Sequence, residues 1–203
     1  MEVGIKMKRI LFHMKNILLS PVHKIISHGS FFFHGRRFRF FIHWYNHTWD
    51  NCRRYEIPVF LYYFNKVFAG QRILEVGNVI NHYRAVYDHV VVDKYERSLG
   101  VINEDIIDYR PEKKFDVVLS CSTLEHVGFD EPLKDPLGFK KAVDNIMVNV
   151  LKPGGVLICS VPIGYNPGLD RVLEEGLVVF DDVVEYSDAD WRIIIGSLRS
   201  SYM

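Results

Sequence analysis

The sequence predicts an α/β protein built on a doubly wound, mostly parallel sheet with helices on both faces. Three observations predict it. From Gln71 onward, short β-branched runs alternate with stretches of helical spacing. Those runs are of the largely apolar, buried parallel-strand type, as suits strands covered on both faces. The connections are short, as in Lys152-Pro153-Gly154-Gly155, which turns the chain tightly into the next run. At 203 residues the chain has room for one sizeable domain and an extension.

Taken in order, Met7, Ile10, Leu11, Met14, Ile17 and Leu18 recur at helical spacing between Lys8, Arg9 and Lys15, and Pro21 ends the pattern. A short basic amphipathic helix is expected there. Phe31 to Trp49 mixes rings and cations with no clean period, and Glu56 to Phe68 reads as a helix closed by Gly70. Strands are expected over Arg72–Val76, Val90–Val92, Phe115–Ser120 and Val156–Val161. Phe139, Val143, Ile146, Met147 and Val150 share one helical face between the last two. After Leu177–Trp191 there is room for one more strand, so an incomplete or altered terminal hairpin is expected.

Charge divides the chain where texture does. Residues 1–70 hold 11 of the 25 Lys and Arg but only Glu2, Asp50 and Glu56 as acids, a net +8 balanced by −8 in the remainder. They also carry 16 of the 28 aromatics and six of the nine histidines. Residues 1–55 are therefore read as a basic aromatic N-terminal extension, and 56–203 as the α/β domain. Cys52, Cys121 and Cys159 form no CxxC pair and no even framework, which suits reduced thiols in a cytoplasmic protein. No run reaches the ~18 apolar residues of a transmembrane helix. Peripheral membrane contact through residues 5–19 is compatible with the basic helix.

Ligands in a doubly wound sheet bind beyond the carboxyl ends of the strands. The first strand ends in Glu75-Val76-Gly77-Asn78, where a residue without Cβ lets a ligand approach the backbone. The second ends in Asp93-Lys94, an acid 16 residues after Gly77 and suited to ribose hydroxyls. Asn103-Glu104-Asp105-Ile106 follows, and the fourth strand ends in Ser120-Cys121-Ser122-Thr123-Leu124-Glu125-His126-Val127. Asn78, Val79 and Ile80 stand where a pyrophosphate-binding GxGxxG turn would repeat its glycines, which argues against a nicotinamide dehydrogenase.

In order and spacing, ILEVG, VVVDK, EDI, FDVVLSCSTLEHV and LKPGG resemble the motif set of class I S-adenosylmethionine-dependent methyltransferases, a Rossmann-like family, over about residues 71–165. The resemblance implies S-adenosyl-L-methionine as cofactor and assigns roles by position. Glu75 would bind near the methionine amine, Gly77 and Asn78 would line the methionine and ribose, and Asp93 would hold the ribose hydroxyls. Lys94 would lie beside the adenine, Asp105 would accept from its amine, and Ile106 would flank the ring. Ser120 and Ser122 would close the site. The altered glycine loop bears on cofactor affinity.

His126 is the titratable candidate for a base, against a structural use of the Glu-His pair in orienting the following loop. Tyr165, Asn166 and Asp170 would face substrate or solvent after the fifth strand. His43, His47 and Cys52 meet metal-ligand spacing only on a helix and lack an obvious further ligand, so no metal is expected. The resemblance is nearest to small-molecule and saccharide methyltransferases. Two rivals stand beside it: a noncatalytic interaction module of the same fold, and a nucleic-acid methyltransferase anchored by the basic extension.

Overall fold

The computed structural model describes residues 29–83, 89–188 and 191–200. The helix expected over Met7–Leu18, with its membrane reading, lies outside them. The chain divides into two compact units, residues 1–59 and 60–203.

In the first unit, β1 (Ser30–Phe33) and β2 (Arg36–Arg39) form an antiparallel hairpin. His34 and Gly35 make its two-residue turn with φ of 46° and 72°, the pair of positive angles that matches strand twist. Strand alternation then sorts a run that showed no clean period in the sequence. Phe31, Phe33 and Phe38 turn inward, while Phe32, Arg37 and Arg39 are exposed. Phe31 stacks on Phe38 and Phe40 and meets Tyr55 at 5.0 Å, with the Arg54 guanidinium over Phe40. The rings of this unit pack on one another, leaving the Arg36, Arg37 and Arg39 cations in solvent.

His43 and His47 do not share a helical face. Asn46 and His47 take positive φ inside the 3₁₀ stretch Tyr45–Asp50, and the His47 ring stacks on Trp49 at 5.3 Å. His43 Nδ1 accepts the Tyr45 amide. Among the described residues no group of three metal-ligating side chains occurs. Helix α1 (Arg53–Tyr62) continues in wider π turns through Val67, close to the helix expected over 56–68.

The second unit holds one seven-stranded sheet. Its strands are β3 (Ile73–Val76), β4 (Val90–Val92), β5 (Val101–Ile102), β6 (Phe115–Cys121), β7 (Leu151–Ile163), β8 (Asp182–Asp188) and β9 (Trp191–Arg199). Their spatial order is β5-β4-β3-β6-β7-β9-β8, and every pair is parallel except those that β9 makes. The order reverses between β3 and β6, which opens a crevice at their carboxyl ends. The Lys152–Gly155 turn is a bulge inside β7: Leu151 pairs with Phe115, and Val156 already pairs with Val117.

Helix α2 (Gly138–Asn145) runs on through Val150 and lays Phe139, Val143, Ile146 and Val150 on the sheet. Its Asn145 side chain donates to the carbonyls of Ile106 and Tyr109, fixing the loop after β5. Helix α3 (Pro167–Glu174), capped by the Asn166 carboxamide, buries Leu169 and Val172 in the same core.

The terminal hairpin is complete, contrary to the expectation from sequence. β9 pairs with β7 over eight residues and with β8 over seven. The strand was hidden because β8 is an edge of alternating polar residues, while Gly196 interrupts the apolar run of β9. That glycine has a packing reason, since a Cβ there would stand 2.7 Å from the Phe180 ring. Among the described residues no helix is long and apolar enough to cross a membrane.

Candidate functional site

A cavity of about 460 Å³ opens where the strand order reverses. Val76 and Gly77 from β3, Val92 and Asp93 from β4, Asp105 and Ile106 after β5, and Thr123 and His126 after β6 all line it. Its size is that of a small-molecule or cofactor site.

The turn after β3 is built without repeated glycines. Gly77 alone among Gly77–Ile80 takes positive φ, at +83°. A Cβ on it would lie 2.2 Å from Thr123 Oγ1, so the bare Cα is also what lets β3 and the β6 loop meet. Asn78, Val79 and Ile80 need no left-handed geometry, because a buried carboxylate secures the loop instead. Glu75 Oε1 accepts the amides of Val79 and Ile80 at 2.8 and 2.7 Å. Its Oε2 lies 2.8 Å from His89 Nε2, with both side chains wholly buried. The Phe64 ring meets the imidazole edge to face.

Asp93 does related work one strand over. Its Oδ1 accepts the amides of Tyr95 and Glu96, and its Oδ2 the amide of Asn78. A carboxylate can accept about four hydrogen bonds, so Asp93 retains capacity toward the cavity. Asn103 pins this turn by donating to the carbonyls of Asp93 and Glu96. Asn78 is nearly buried, with its carboxamide bonded to Glu96 and Asn81.

Lys94 bridges Asp105 Oδ2 at 2.9 Å and Glu131 Oε1 at 2.6 Å, while the Tyr95 hydroxyl donates to the other oxygen of Glu131. The hydrogen bond from Lys94, then that from Tyr95, holds the Glu131 carboxyl below its ordinary range. The Lys94 ammonium is raised in turn, first by Glu131 and also by Asp105. Asp105 Oδ1 accepts the Ile107 amide.

Gly77, Asp93, Lys94, Asp105 and Ile106 thus come together on the cavity wall. Glu75, Asn78, Ser120 and Ser122 stand behind it. Ser120 is buried and donates to the Val76 carbonyl; Ser122, at φ 39°, is tied through its amide to Ser160. His126 also lines the cavity, and behind it the Tyr165 hydroxyl lies 3.3 Å from its Nδ1. Asn166 is buried as a helix cap that also donates to the Glu125 carbonyl, and Asp170 accepts the Gly164 amide, so neither lines the cavity.

Sequence reasoning missed Tyr95, Glu96, Glu104, Thr123, Asp130 and Glu131 on the cavity wall. Asp130 and Glu131 carry no local motif, since only the fold of the 127–137 loop returns them to the strand ends. The Asp130 carboxyl is held low mainly by its hydrogen bond from His126, with help from Tyr165.

No family model matches the chain, and no curated protein matches it. Solved structures do. The N-methyltransferase NodS from Bradyrhizobium japonicum, in complex with S-adenosyl-L-homocysteine, superposes with a TM-score of 0.52 at 17% identity, over 75% of this chain and 90% of that one. A 1,6-didemethyltoxoflavin-N1-methyltransferase from Burkholderia thailandensis aligns at 0.46 and 16%, over 65% of this chain and 72% of its own. The magnesium protoporphyrin IX methyltransferase from Synechocystis aligns at 0.42 and 11%, over 65% and 71%. With the strand order above, the superposition on NodS shows that the chain has the class I methyltransferase fold.

Proposed function

We propose that the protein is an S-adenosylmethionine-dependent enzyme that transfers a methyl group to a small-molecule or saccharide acceptor. The observation that carries this reading is the convergence of Gly77, Asp93 and Asp105 on one cavity at the strand-order reversal. NodS, the structure with the highest fold agreement above, was crystallised with the demethylated cofactor.

The residues present fit that group. Val92, Ile106 and Val127 give apolar surface for a planar base, and Asp93 keeps acceptor capacity for a ribose hydroxyl. Asp105 would accept from the base amine while sharing its charge with Lys94. Gly77 would let the amino-acid portion lie against backbone. Glu75 would act through the loop it holds, since both its oxygens are engaged inside the protein. Bound here, S-adenosylmethionine supplies an electrophilic methyl group on a sulfonium. The chain's own part is to align an acceptor with it and to keep water out.

Calorimetry with S-adenosylmethionine and S-adenosylhomocysteine tests the reading. Ligand at 100 times its dissociation constant should add about 2.7 kcal/mol of stability. Absence of both heat and thermal shift at millimolar ligand would favour a noncatalytic module, the alternative that the altered glycine loop supports.

One observation favours nucleic acid as acceptor: Arg36, Arg37 and Arg39 are exposed on the hairpin beside exposed Phe32. RNA affinity that falls steeply with salt would support it. We assign residues 1–55 to docking rather than methyl chemistry. Three cysteines, with no CxxC pair and no even framework, support a cytoplasmic setting.

A further inference from the structure

Among the described residues, six carboxylates line the cavity, those of Asp93, Glu96, Glu104, Asp105, Asp130 and Glu131, against one ammonium, that of Lys94, with the Lys134 ammonium nearby over the Phe129 ring. Asp93, Asp105 and Lys94 are engaged at the β4–β5 end. At the other end stand side chains that the cofactor reading does not use. His126 Nδ1 bonds the Asp130 carboxylate, and the Tyr165 hydroxyl donates to Asp130 at 3.0 Å while lying 3.3 Å from the same nitrogen. The His126 and Phe129 rings each meet Tyr165 edge to face, at 5.2 and 5.3 Å.

The arrangement has three chemical consequences. A carboxylate on Nδ1 favours the tautomer with the proton on that nitrogen, which leaves Nε2 as the lone-pair nitrogen. Glu125 Oε1 lies 3.6 Å from Nε2, which places a second carboxyl group beside the nitrogen that would take the proton. The Tyr165 ring lies against the cluster, and the Lys134 ammonium over the Phe129 ring at 4.6 Å shows that rings and carboxylates here hold a cation.

We propose that His126, Asp130 and Tyr165 form the acceptor subsite, and that the acceptor is an amine which arrives as an ammonium and loses its proton to His126. The proposal rests on the methyl-transfer reading. In the step, the ammonium N–H bond breaks, its proton passes to His126 Nε2, and the bonding pair remains on nitrogen as the nucleophilic lone pair. Asp130 is the positioning residue, because it sets the ring's tautomer and balances the imidazolium. A hydroxyl acceptor could use the same base but would gain nothing from the surplus of carboxylates.

Binding of S-adenosylhomocysteine to the full chain is measured first, which tests the methyl-transfer reading by itself. The loaded protein is then titrated at pH 7 with benzylamine and with benzyl alcohol, its neutral counterpart. Benzylamine should bind at least tenfold more tightly, and only benzylamine should shift the His126 ring signal in the NMR spectrum, identified by its loss in His126→Gln. Asp130→Asn should shrink the preference at least fivefold with S-adenosylhomocysteine affinity unchanged within twofold. In a protein that binds S-adenosylhomocysteine, equal or absent binding of the two probes overturns the proposal, as does a preference that survives Asp130→Asn.

Discussion

The imidazole of His89 lies 2.8 Å from Glu75 Oε2, and neither side chain reaches solvent. The other oxygen of that carboxylate holds the amides of Val79 and Ile80, so one buried pair supports the loop that carries Gly77 to the cavity. Removing the imidazole leaves one oxygen of a buried carboxylate without its hydrogen-bond partner, which costs about 1–3 kcal/mol. His89→Leu should therefore lower stability by roughly that amount. His89→Gln, which keeps a donor, should recover at least half of it. Denaturant midpoints of the three proteins check this; equal losses for both variants would show that ring volume matters and the bond does not.

Gly77→Ala should weaken S-adenosylhomocysteine binding at least tenfold. The new methyl meets Thr123 Oγ1 at 2.2 Å and the residue must also keep φ at +83°. Adding Thr123→Ala removes the clash and leaves the backbone strain. Calorimetry on the double variant should thus show partial recovery, a coupling that independent sites would lack.

Asp93→Asn should leave the fold intact and weaken the same ligand by roughly 1–3 kcal/mol, the usual cost of an acceptor lost to a ribose hydroxyl. The neutral amide can still accept the Tyr95 and Glu96 amides that the carboxylate now holds. Wild-type affinity in the folded variant would remove Asp93 from the ligand site.

Acid should destabilise the protein partly through Glu131. Its pKa is lowered from 4.5, first by Lys94 and then by Tyr95, so the stability it contributes is present above 4.5 and is lost as pH falls through the lower folded value. Lys94→Met removes the chief cause. Urea midpoints at pH 6 and pH 3.5 should differ less in Lys94→Met than in the wild type, and an unchanged difference would exclude this bridge from the acid response.

Gly196→Ala should cost roughly 1–3 kcal/mol by overpacking, because the added carbon meets Phe180 at 2.7 Å. Phe180→Leu in the same chain should recover part of the loss. Thermal denaturation reads both, and a neutral Gly196→Ala would show that the Phe180 ring moves aside freely.

Local pattern alone determined much of this protein. β-branched runs at 73–76, 90–92, 115–120 and 156–161 announced the central strands, since a strand covered on both faces is mostly apolar along its length. Those strands end at Gly77, Asp93 and the 120–126 stretch, so the strand ends and residues that line the cavity there were legible together. Tertiary structure decided the rest. The β8–β9 hairpin stayed hidden because an edge strand is half polar, and because Gly196 is explained by a ring distant in sequence. The partners of Glu75 within the protein, the loop amides of Val79 and Ile80 and the imidazole of His89, were likewise not visible in the sequence. Asp130 and Glu131 reach the cavity through a loop with no period, meeting partners 35 and 37 positions away in Tyr165 and Lys94. Spacing along a chain records which face a residue takes within its own element; only the packing of elements brings distant charges to one cavity.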